Sequence, residues 1–188
     1  MREQVVRDIK EEFLGTSFRY LVEHGLENTS VRDLCKAIGI STGSLYYWFD
    51  NKDDLYINSA RYGLEKVASS IFEYSFKELY DLKHFFDNVL DEIIKYKPEL
   101  HLIYQVATSP VYGMRMRAKA DDLNVTYNKL IKHVAKLLGC SPESITPIVF
   151  MFISIILDYV VWEDYTTTKM QLDYLYTIMS KEVEASKK

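Results

Sequence analysis

Glycine, proline and cysteine are scarce in this sequence, at 7, 4 and 2 of 188 residues. So few backbone breakers do not suit a turn-rich all-β protein, and no sustained apolar/polar alternation marks a sheet. The two cysteines, Cys35 and Cys140, are far apart and lack metal-ligand spacing. They exclude a disulfide scaffold and are expected to be reduced thiols in a cytosolic protein. Positive charge is short as well. The net charge is −4, and the first 56 residues hold seven cations against ten acids, a net of −3. Bulk attraction to nucleic acid is therefore excluded, and binding to it would have to rest on local geometry. His24, His84, His101 and His133 form no HxxxH or HExxH pattern and meet no paired carboxylates. No catalytic residue, metal or cofactor is expected. The sequence does not open on a basic segment followed by an apolar block, so no secretory leader is expected. Its most apolar run, Ile148 to Trp162, contains Asp158 and falls short of the roughly 20 residues of a bilayer span. No membrane partner is expected, and the predicted location is cytoplasmic.

What is present is helical periodicity. Hydrophobic residues make up 48% of the chain and recur at spacings of three and four nearly throughout. The fold class read from this is all-α. A first helix is predicted from about Glu3 to His24, with Phe13, Ser17 and Leu21 on one stripe and Gly25 as its stop. In "ENTSVRDLCKAIG", Thr29 or Ser30 can cap a second helix, Asp33 stands at the capping-box position, and Leu34 and Ile38 form a buried i, i+4 pair. Ser41 caps a third, short helix held by Leu45 and Phe49. Two short helices joined by a tight turn at Gly39 make the helix-turn-helix pattern. Further helices are predicted near 51–74, 82–97, 99–108, 115–138, 141–164 and 167–181. Residues 1–50 are read as one module and 51–188 as another, with the fourth helix joining them.

The stretch "GISTGSLYYWF", Gly39 to Phe49, sets small hydroxyl residues and glycine directly against large aromatics. In the order "HG" (His24, Gly25), "TSVRDLCKAIGIS" (Thr29 to Ser41), "TGSLYYWF" (Thr42 to Phe49) and "NKDDLY" (Asn51 to Tyr56), the chain resembles the tetracycline-repressor (TetR) family of bacterial transcription regulators. The resemblance covers roughly residues 9–56; the helical remainder agrees with the family in length and class. It implies an N-terminal three-helix DNA-binding domain and a larger C-terminal domain for ligand binding and dimerisation. Ser41, Thr42, Gly43 and Ser44 would form the end of the recognition helix that enters the major groove, where small side chains allow close approach and hydroxyls reach bases or phosphate. Tyr46 and Tyr47 match family positions that reach the DNA backbone and a thymine methyl. Trp48 departs from a frequent histidine but keeps an N–H donor. Lys52 matches a phosphate-pairing lysine, Arg32 a guanine reader and Ser30 a phosphate contact.

The run Ile148 to Trp162 is apolar nearly all round and so needs cover on both sides. The resemblance implies that the last two helices pair with their copies in a four-helix bundle. Val149, Ile153, Ile156, Val160, Leu172, Leu175, Ile178 and Met179 are the candidates for that homodimer seam. An unidentified small-molecule effector would meet an aromatic-rich lining drawn from Phe86, Tyr104, Tyr112, Met116, Tyr127, Phe152, Asp158, Tyr159 and Trp162; core packing is the plainer reading for most of these. Asp158 fits a cavity or the seam equally. The expected partners are thus a near-palindromic double-stranded operator, a second copy of the chain and the effector. The expected function is a ligand-responsive regulator, in first place a repressor. A regulator of the same fold acting through a protein partner is the alternative.

Overall fold

The computed structural model describes residues 2–118 and 121–187. Among them there are ten helices and no strand: α1 (Arg2–His24), α2 (Val31–Ile38), α3 (Thr42–Trp48), α4 (Lys52–Glu78), α5 (Leu82–Ile94), α6 (Lys97–Thr108), α7 (Gly113–Arg117), α8 (Asp121–Leu138), α9 (Pro142–Trp162) and α10 (Tyr165–Ser186). The segment read as one helix over 115–138 is two, α7 and α8. The final helix starts earlier and ends later than its periodicity indicates, because Asp164 caps it through Thr167 N–H.

Two compact units make up the chain. One comprises residues 1–67 and 98–119, the other 68–97 and 120–188. Packing thus divides the chain at places other than the functional boundary drawn near residue 50.

In the first unit α1 packs on α2 and α2 on α3. Leu21, Leu34, Leu45, Phe49, Leu55 and Tyr56 are buried, so the i, i+4 pair of α3 serves its predicted purpose. The crossing of α1 and α4 is close. A Cβ built on Gly63 of α4 would stand 2.2 Å from the Phe18 ring of α1.

In the second unit α9 packs on α8 and α10, and α10 on α5. Phe85, Phe86 and Phe152 form a cluster of rings with centroids 5.2–6.5 Å apart, and Tyr176 joins Phe86 at 5.9 Å. Lys169 ties α10 to α5 by donating to the Phe86 carbonyl at 2.9 Å. At 21 residues, with an 18-residue window of mean hydropathy 2.1, α9 is long and apolar enough to cross a bilayer. The sequence run measured from Ile148 had fallen short of that length. Core helices pass the same test, and Ile145, Val149, Ile156, Tyr159 and Val160 are buried within the subunit.

Candidate nucleic-acid interface

The second helix is set by its cap. Ser30 Oγ accepts the Asp33 N–H at 3.2 Å and donates to Asp33 Oδ2 at 2.5 Å, while Ser30 N–H donates to the same oxygen at 2.9 Å. Asp33 is held below the usual carboxylate range, first by the Ser30 hydroxyl and then by its backbone N–H. A depressed folded pKa means that this contribution is present at neutral pH and fades as pH falls through the folded value. The bond also decides what Ser30 can offer DNA. Its hydroxyl hydrogen and its backbone N–H are both committed to Asp33, so Ser30 can donate to a phosphate only by breaking the cap. Ser30→Ala is expected to lower unfolding free energy by about 1 kcal/mol, read by urea titration.

Gly39 closes α2 with φ +82°, and its N–H and that of Ile40 both donate to the Cys35 carbonyl. Only glycine adopts that conformation without strain, which explains the glycine at the turn. Ser41 then caps α3, accepting the Ser44 N–H at 3.1 Å, and its hydroxyl lies 2.8 Å from that of Ser44. Two hydroxyls sharing one bond leave one hydrogen free to point outward. Thr42, Gly43 and Ser44 are exposed. A Cβ on Gly43 would make only an ordinary 3.8 Å contact with Ser41 Oγ. Nothing inside the subunit demands glycine there.

Leu45 and Phe49 anchor α3 inward, and Tyr46 and Tyr47 face out at 49% and 82% exposure. That resolves the aromatic run into two faces. Trp48, expected at the DNA, is half-buried; its ring lies edge-on to Phe13 of α1, with centroids 6.0 Å apart, and to the exposed Tyr47 at 5.3 Å. Through Phe13 it links α3 to α1. Arg32 is exposed on α2. Lys52 opens α4 with its ammonium 4.9 Å from the centre of the Tyr56 ring. Tyr56 itself is buried and donates to the Thr29 carbonyl at 2.6 Å; burial pushes its hydroxyl pKa far upward. Sequence reading placed Tyr56 in the motif without a task. Its bond fixes the residue just before the α2 cap to the second turn of α4.

The remaining candidates fall in several places. Phe86 and Phe152 share the ring cluster of the second unit, Tyr127 is half-buried beside Phe150, and Tyr159 is buried. Tyr104, Tyr112 and Met116 belong to the first unit. Asp158 and Trp162 are exposed, the tryptophan at 73%, so neither lines an enclosed space within the subunit. The expected seam is corrected in the same way. Val149, Ile156, Val160, Leu172, Leu175 and Met179 are buried inside the chain, and Ile153 and Ile178 are half-buried. The outward stripe of α9 consists of Phe150, Ser154, Leu157, Asp158, Val161 and Trp162, and α10 exposes Met170 and Tyr174. A helix apolar on every side gives no phase to its periodicity, so the sequence could not tell which stripe its own subunit would cover.

Residues 13–58 match the family model of bacterial regulatory proteins, tetR family. The chain is 25% identical over 145 residues to the biofilm operon icaADBC HTH-type negative transcriptional regulator IcaR of Staphylococcus aureus, spanning 73% of this chain and 74% of that protein. It is 27% identical over 70 residues to the HTH-type transcriptional regulator PksA of Bacillus subtilis, spanning 37% of this chain and 34% of that one. Two solved structures share its fold. A TetR family transcription regulator from Marinobacter aquaeolei superposes with a TM-score of 0.56 at 16% identity, over 95% of this chain and 98% of its own. A TetR transcription regulator from Haloarcula marismortui gives 0.55 at 21% identity, over the same shares. Residues 13–58, with the capped third helix among them, thus match the N-terminal domain of bacterial regulatory proteins of the tetR family, and the fold of the chain is that of TetR regulators.

Proposed function

We propose that the protein is a homodimeric repressor that reads a near-palindromic operator and is released from it by a small-molecule effector. The observation that carries this reading is the two-faced third helix. Buried Leu45 and Phe49 hold it, while Thr42 to Ser44, Tyr46 and Tyr47 stand exposed on its other side. Such a helix offers small groups for close approach, hydroxyls for base edges and aromatics for backbone or thymine methyl contact. Arg32, exposed on α2, and Lys52, at the start of α4, add cations on the helices before and after it. Repression is favoured over activation because IcaR is a negative regulator.

In this proposal residues 1–50 read DNA and residues 51–188 bind the effector and a second copy. The effector is released-state selective: each tenfold loss of operator affinity requires about 1.4 kcal/mol of preference for the released form. In this reading the protein works in the cytoplasm.

A gel-shift titration against DNA flanking its own coding region, with nonspecific competitor, tests the reading; a random-library selection follows if no site is found there. Tyr47→Ala and Lys52→Ala are each expected to weaken operator binding by about 1–3 kcal/mol without changing dimerisation, the lysine variant also lowering the salt slope by about one. Unchanged affinity in both variants removes these residues from the interface. Failure of both the flanking DNA and the library to yield a specific site replaces the operator by a protein partner on the same surface.

A further inference from the structure

Arg115 lies outside the helix-turn-helix motif, yet it meets the segment that follows the recognition helix. Its Nη2 is 3.6 Å from Asp54 Oδ1. Asp54 organises the start of α4. Its N–H donates to Asn51 Oδ1 at 2.9 Å, its Oδ1 accepts the Asn58 side-chain amide at 3.0 Å, and its Oδ2 accepts the Asp50 N–H at 3.4 Å. Lys52 stands in the same turn.

A second contact leaves the same short helix. The ring of Tyr112, the residue before α7, meets that of Tyr56 at 6.1 Å, and Tyr56 in turn donates to the Thr29 carbonyl beside the α2 cap. The five residues of α7 and their cap therefore reach the start of α4 directly and the start of α2 through Tyr56. Those two starts frame α3.

The turn that carries these contacts is firmly built. Ser109 Oγ accepts the N–H groups of Val111 and Tyr112, and Gly113 N–H donates to the Ser109 carbonyl at 2.8 Å. Arg117 Nη1 donates to the Ala107 carbonyl at 2.7 Å. A Cβ at Gly113 would stand 2.5 Å from that carbonyl oxygen, so the turn closes only on glycine. A turn tied at this many points carries a displacement along instead of absorbing it.

We propose that Arg115 is a positioning residue for the nucleic-acid interface. Through Asp54 it holds the first turn of α4, and with it Lys52, in register with the exposed end of α3. This rests on the DNA-reading proposal above but names a residue about 60 positions beyond the motif that carries it. Arg115 acts through Asp54 and makes no phosphate contact of its own.

The test uses the full chain and a duplex selected from a random-sequence library by the wild-type protein. A half-exposed ion pair contributes about threefold per subunit, so Arg115→Glu is expected to weaken binding roughly tenfold in a dimer. Because Arg115 acts through the placement of Lys52, any fall in salt slope should be no larger than that of Lys52→Ala. Arg115→Lys should retain most of the affinity, and in an Asp54→Asn background, which keeps an acceptor oxygen but removes the charge, Arg115→Glu should lose most of its effect. Independently of DNA, Arg115→Glu should speed amide hydrogen exchange over residues 53–58. Unchanged affinity in Arg115→Glu overturns the proposal. So does a loss that is equally large in the Asp54→Asn background, because Arg115 then does not act through Asp54. If the library yields no duplex, the DNA reading falls and the exchange rates alone decide: faster exchange over 53–58 upholds the positioning role of Arg115, and unchanged exchange removes it.

Discussion

Gly63→Ala is expected to destabilise the first unit by about 2–3 kcal/mol, although alanine ordinarily stabilises a helix interior by about 1 kcal/mol over glycine. The sign follows from one contact. Gly63 is in the middle of α4, and a methyl group there would lie 2.2 Å from two carbons of the Phe18 ring and 2.6 Å from a third. Phe18 is only 7% exposed, so most of its ring is held by neighbouring atoms. Either α1 and α4 move apart or the ring leaves its rotamer, and both outweigh the helix-propensity gain. Thermal unfolding followed by circular dichroism should show a fall of roughly 5–10 °C. Gly15→Ala is the control. Its added methyl would meet the hydroxyl end of Tyr62 at 3.1 Å, a half-buried side chain that can give way, and its effect should stay within about 0.5 kcal/mol. Shortening Phe18 to Leu in the Gly63→Ala background should recover stability that Phe18→Leu alone loses, a coupling that distant residues do not show. A Gly63→Ala protein as stable as wild type would mean that the crossing yields more readily than its geometry indicates.

Gly63 also marks where sequence reasoning stopped. Features governed by neighbours within four positions were legible: the Ser30–Asp33 capping box, the Ser41 cap, the Gly25 and Gly39 stops and the Leu45–Phe49 anchor all follow from i, i+3 and i, i+4 geometry. Features that join distant segments were not. Nothing in "ARYGLEK" distinguishes a glycine that admits a ring from one that merely weakens a helix. Arg115 and Asp54 read as solvated charges until the fold brings them within 3.6 Å. The motif places Trp48 beside its exposed neighbours, and only the fold shows the edge-on approach of Phe13 to its half-buried ring. The candidate interface was thus legible at the level of its first turn, where the cap sets the conformation. It was not legible where α1, α4 and α7 brace it.

The same distinction governs the largest expected effect on function, the conversion of a dimer into a monomer. The double variant Leu157→Glu, Val161→Glu places two carboxylates on the outward stripe of α9, where both side chains are 40% exposed and flank Asp158. Because both positions face outward in the subunit, helix content and unit packing should survive. A stripe holding Phe150, Leu157, Val161 and Trp162 is more apolar than a solvated face needs, and a second copy covers it most simply by a two-fold self-match. Burying four carboxylates unpaired at such a seam, two from each copy, is prohibitive. Light scattering should therefore find wild type at twice the 22.0 kDa subunit mass and the double variant at the subunit mass. Operator affinity should fall by roughly 100-fold or more, since a monomer loses the effective concentration that links two half-sites. Val160→Glu, placed on the buried side, should instead unfold the unit, which separates loss of partner from loss of fold. A double variant that remains a dimer would move the seam off this stripe and leave its exposed apolar residues to another occupant.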